Sequence, residues 1–117
     1  MLRALVLSVV CFGANPVFAD QFVRITDKAD FIGLVGGKSL TRLGITLNLT
    51  AAGQIEGVAL GQAVTGSWTW EKGYFCRVMQ AGSRTFARNC QLVQRRGDVI
   101  RFVADKGYGD TADLRLR

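Results

Sequence analysis

The side chains of this sequence best suited to chemistry are cationic. Arg77, Arg84, Arg88, Arg95, Arg96 and Arg101 follow one another along a stretch in which Asp98 is the single acidic residue. Guanidinium groups grip carboxylate or phosphate through paired, charge-assisted hydrogen bonds. Arg77, Arg88, Arg95, Arg96 and Arg101 are therefore candidate contacts for an anionic small molecule or for a protein partner, grouped on one basic face. Two cysteines, Cys76 and Cys90, bracket part of the same stretch. Just before it comes a dense aromatic group, Trp68, Trp70, Tyr74 and Phe75.

Catalytic chemistry finds less support. The chain contains no His, which removes the usual base near neutral pH and every His-dependent triad or zinc site. Glu71, Asp105, Asp110 and Asp113 fall in turns or near strand ends, where solvent leaves carboxylates with ordinary acidity. Gly33 to Ser39 ends like a phosphate-binding loop, but Ile32 stands where such a loop needs its first glycine. Lys106 sits inside the glycine- and aspartate-rich turn Asp105 to Asp110 and opposes calcium there. No catalytic residue, metal or cofactor is expected.

The elements that must carry these residues read as strands. From Lys38 to the C-terminus the hydrophobic period is two, interrupted by glycine-bearing turns at 51–53, 61–62, 71–73, 81–84, 95–98 and 105–110. That spacing predicts seven or eight short antiparallel strands, closed into a small barrel or folded as a sandwich. An edge strand is expected over 20–25. One short helix follows, opened by Thr26 or Asp27, ended by Gly36-Gly37, and burying Ala29, Phe31, Ile32 and Val35. A three-residue loop, Glu71-Lys72-Gly73, would set Trp70 opposite Tyr74 and Trp68 opposite Cys76. Trp68 would then pack on the cysteine pair, with Phe75, Arg77 and Met79 on the other face. Tryptophans turned inward offer no stacking platform for nucleic acid.

The N-terminus predicts export. Met1-Leu2-Arg3, the apolar run from Ala4 to Phe12, and Val17-Phe18-Ala19 have the order of a secretory signal peptide cut before Asp20. The apolar run is too short to span a bilayer, which takes about 20 residues. Residues 20–117 form one β-rich domain, with Cys11 removed and Cys76 and Cys90 left as an even pair. In the periplasm or outside the cell such a pair forms a disulfide.

The stretch Val64-Thr65-Gly66-Ser67-Trp68-Thr69-Trp70-Glu71-Lys72-Gly73-Tyr74-Phe75-Cys76-Arg77, with Asn89-Cys90-Gln91-Leu92-Val93 and Ile100 to Gly107, resembles a family of small exported bacterial proteins of unknown function. The Trp-x-Trp-x-x-Gly-Tyr-Phe-Cys-Arg pattern is its most specific part. Some members carry the label dihydrodipicolinate reductase, and the resemblance brings no catalytic residues with it. The reductase itself resembles a far longer nucleotide-binding α/β enzyme with a glycine-rich phosphate turn and a His/Lys catalytic stretch, none of which is present here. The sequence thus points to an exported, disulfide-stabilised, non-catalytic β domain that binds through a basic face. An enzyme and an inhibitor of a secreted hydrolase are the alternatives.

Overall fold

The computed structural model describes residues 21–117. The expected signal peptide, residues 1–19, and its Cys11 lie outside the described residues. The alternating segments form a closed antiparallel barrel of eight strands: β2 (Leu40–Arg42), β3 (Ile45–Leu49), β4 (Gln54–Ala59), β5 (Gln62–Glu71), β6 (Tyr74–Ala81), β7 (Arg84–Arg96), β8 (Val99–Val103) and β9 (Thr111–Leu116). Each pairs with its neighbour in the chain, and β9 returns to β2 through Leu40 opposite Leu116. Closure leaves no long unpaired edge, which decides for a barrel over a sandwich.

β7 is the longest strand and has two partners on one edge. Arg84 to Gln91 pairs with β6, and beyond the end of β6 the short strand β1 (Val23–Ile25) takes over opposite Val93 to Arg95. Its other edge pairs with β8 over Leu92 to Arg96. A register shift between Arg77 and Met79 marks a bulge where β6 and β7 bend around the barrel.

The helix α1 (Lys28–Val35) closes one end of the barrel. Its first turn is anchored by the Phe31 amide donating to the Asp27 carbonyl, and its last by the Gly36 amide donating to the Ile32 carbonyl. Phe31 is 0 % exposed. Its ring stacks on Trp70 at 5.0 Å, meets Trp68 edge-on at 5.5 Å, and lies 5.4 Å from Phe75 and 6.4 Å from Phe102. Both indole N–H groups stay satisfied inside this cluster. Trp68 Nε1 donates to the Thr50 carbonyl at 3.1 Å and Trp70 Nε1 to the Thr26 carbonyl at 2.8 Å. Of the expected apolar side of the helix, Phe31 and Val35 are buried and Ile32 is half-buried, but Ala29 is exposed. Leu34 packs against the core in its place.

The β5–β6 hairpin differs from expectation by one residue. The loop is Lys72-Gly73 alone, with φ of 51° and 82°, a turn whose twist matches the strands it joins. Glu71 therefore pairs with Tyr74, Trp70 with Phe75, Thr69 with Cys76 and Trp68 with Arg77. A slip of one position moves every side chain to the other face. Phe75, Arg77 and Met79 share the inner face with the tryptophans, and Trp68 packs on Phe31 and Phe75 rather than on the cysteines.

Cys76 and Cys90 stand directly opposite each other in the β6–β7 ladder, outside the barrel, and are joined as a disulfide 14 residues apart in sequence. Closing a loop of that size is worth about 3 kcal/mol in the chain-entropy model. Replacing both cysteines by Ala should lower the free energy of unfolding by about 2–3 kcal/mol and raise the urea m-value, because the denatured chain without its cross-link exposes more surface. Phe31→Ala should cost about 3–5 kcal/mol, because it leaves an aromatic-sized void among four rings. Urea unfolding followed by tryptophan fluorescence measures both.

Candidate functional site

The barrel interior is filled unequally. At the α1 end four aromatic rings meet Phe31. Further along, the inward positions of the central strands include Gly57, Ala59, Gly66, Ala81 and Ala112, which fill little space. A Cβ on Gly66 would come 2.4 Å from the Val78 carbonyl oxygen, so the close approach of β5 and β6 at the bend requires glycine there. The result is a cavity of about 190 Å³ with Phe75 and Phe102 at its inner end. Its walls are Leu40, Ile45, Leu47, Leu49, Ile55, Met79, Ala112 and Leu114, and its polar side chains are Arg42, Arg77 and Gln91. No carboxylate lines it.

Arg77 is the distinctive member of this group. The register points it inward beside Trp68, where it is half-buried, and Nη1 donates to the Ala87 carbonyl at 2.8 Å. Burial pushes its guanidinium pKa down from the ordinary arginine range, the cost of holding a charge away from water. Among the described residues the ion pairs are Arg88–Glu71, Arg101–Asp113 and Arg115–Asp98, so Arg77 has no carboxylate partner. Gln91 is held by its Nε2 donating to Asn89 Oδ1 at 3.3 Å. Asn89 in turn donates to Asp105 Oδ1 at 2.7 Å and accepts from the Asp105 amide at 3.0 Å. These bonds fix the turn Ala104–Gly107, in which Asp105 and Lys106 adopt φ of 53° and 57°. The lumen's polar wall is thus tied to the β8–β9 connection.

The other arginines of the expected face are dispersed and mostly engaged. Arg88 is bonded to Glu71, whose carboxyl is held below the usual range first by the Thr69 hydroxyl and then by Arg88. Arg101 grips Asp113 with two bonds of 2.8 and 3.0 Å, and that donation lowers the Asp113 pKa. Arg96 and Arg101 lie over the Phe22 ring at 4.4 and 3.7 Å. Arg95 donates to the Gly97 carbonyl at 2.8 Å and borders a shallow groove between α1 and β1. Tyr74 lies between Arg24 and Lys106, whose charged ends are 4.9 and 5.5 Å from its ring. Arg96 and Arg101 come together on the outer wall, while Arg77 faces the lumen.

Sequence reasoning did not single out Arg42 or Gln91. Gln91 follows the second cysteine, and its inward direction is set by the pairing of Phe75 with Gln91, so the correct β5–β6 register would have found it. No family model, curated protein or solved structure matches the chain.

Filling the cavity should stabilise the fold. Ala112→Leu should raise the free energy of unfolding by about 1 kcal/mol. Thermal unfolding of the two proteins side by side measures this.

Proposed function

We propose that this protein is an exported, non-catalytic binding domain that takes a small apolar anion into the lumen of its barrel. A single observation carries the reading: Arg77 is a half-buried cation with no carboxylate partner among the described residues, and it stands on the wall of an otherwise apolar cavity. A buried charge is costly unless paired, and a ligand carboxylate arriving at the guanidinium supplies the missing charge. The apolar walls would shed water onto the ligand's hydrocarbon, and Gln91 adds a second polar contact. A cavity of about 190 Å³ suits a short aliphatic or single-ring acid, since one of about 150 Å³ holds benzene.

Export and the cysteine pair support each other in this reading. A disulfide persists in the periplasm or beyond it, where the N-terminal signal would deliver the chain. Membership of the motif family belongs to the same proposal. On this fold Trp68, Trp70 and Phe75 of the motif build the closed end, Cys76 the staple and Arg77 the ligand contact.

Hexanoate and hexanol separate charge from hydrophobicity. Isothermal titration should show hexanoate binding in the millimolar range or tighter, as expected for so few heavy atoms, and hexanol at least tenfold more weakly. Arg77→Leu should remove that preference while leaving the protein as stable as before or more so, because it deletes a half-buried charge that has no carboxylate partner among the described residues. Equal hexanoate affinity in the two proteins would contradict the assignment.

A further inference from the structure

Two hairpin tips carry leucines that the fold does not use. Leu43, between β2 and β3, is 99 % exposed, and Leu60, between β4 and β5, is 79 % exposed. The tips are neighbours, for the Leu60 amide donates to the Gly44 carbonyl at 2.7 Å. Leu60 is also out of place conformationally. Its φ is 51°, the left-handed region in which Asn, Asp or Gly is favoured and a branched apolar residue is strained. A side chain unfavourable both to its backbone and to water marks a position where another requirement outweighs stability. Beside Leu43 runs a surface groove lined by Thr41, Thr46 and three cations, Arg42, Arg115 and Arg117, with no acidic side chain. Arg115 is shared with Asp98 at 3.2 Å, whereas Arg42 and Arg117 form no ion pair among the described residues.

We propose that this end of the barrel docks on an anionic phospholipid surface, Leu43 and Leu60 entering the headgroup–acyl boundary while Arg42 and Arg117 contact lipid phosphates. Protruding single leucines with flanking cations fit a membrane interface, where apolar side chains enter lipid and long basic ones remain at headgroup level. They suit a protein partner poorly, because two convex tips offer far less than the roughly 800 Å² per side of a standard interface. The groove supplies the charge complementarity, each cation near an anionic bilayer adding a several-fold gain in partitioning. The proposal does not require a ligand in the lumen, although Arg42 borders both the groove and the cavity.

Co-sedimentation of the purified protein with phosphatidylglycerol and with phosphatidylcholine vesicles tests it. Binding should be at least about tenfold stronger to the anionic vesicles. The double variant Leu43→Ser with Leu60→Asn should lose about tenfold or more of that binding. Its melting temperature should be unchanged or higher, because Asn suits the turn at Leu60. Arg117→Gln should weaken binding several-fold. Protein that stays in the supernatant with phosphatidylglycerol vesicles, or a double variant that sediments as well as its parent, would overturn the proposal.

Discussion

The contact on which the rest of the structure depends is Phe31 among Trp68, Trp70, Phe75 and Phe102. An eight-stranded barrel is just wide enough for its own side chains to fill. Here a short helix supplies the ring that completes the packing at one end. Because four large rings are gathered there, the far end is left to leucines, alanines and glycines, and open volume remains between them. The closed end and the cavity are two sides of one distribution of side-chain size. The disulfide works on the same elements from outside, tying β6 to β7 next to the strand positions that present Phe75 and Arg77 inward.

Much of this architecture was legible in the sequence, because a period of two broken by glycine turns translates almost directly into strand boundaries. The strands at Ile45, Gln54, Ala63, Tyr74, Thr85, Val99 and Thr111 all lie where the alternation placed them, and Gly36-Gly37 does end the helix. The three-residue strand β2, whose pairing with β9 closes the barrel, was too short to show a period of its own. Closure is a long-range pairing that alternation does not encode, and the Leu40 to Leu116 pair is what distinguishes the barrel from a sandwich.

The site was less legible for one local reason. Glycine after Lys72 is compatible with a loop of two or of three residues, and the difference reverses the faces of the whole hairpin. With the longer loop, Arg77 falls on an outer basic face beside Arg88, Arg95, Arg96 and Arg101. With the two-residue turn that Lys72 accepts at φ 51°, it enters the lumen. The remaining arginines illustrate a second limit, since charge counted along a chain does not reveal pairing. Glu71 and Asp113 engage Arg88 and Arg101 from positions 17 and 12 residues away in sequence.

The central claim is that the anion site lies inside the barrel at Arg77 and not on its outer wall. Methyl-resolved nuclear magnetic resonance during a titration with hexanoate addresses it directly. Methyl signals of Leu47, Leu49, Ile55 and Leu114, which line the cavity, should shift together and saturably. The methyl signals of Leu43 and Leu60, exposed at the hairpin tips, should stay in place. Saturable shifts restricted to residues around Arg88, Arg96 and Arg101, with the lumen methyls unmoved, would contradict it.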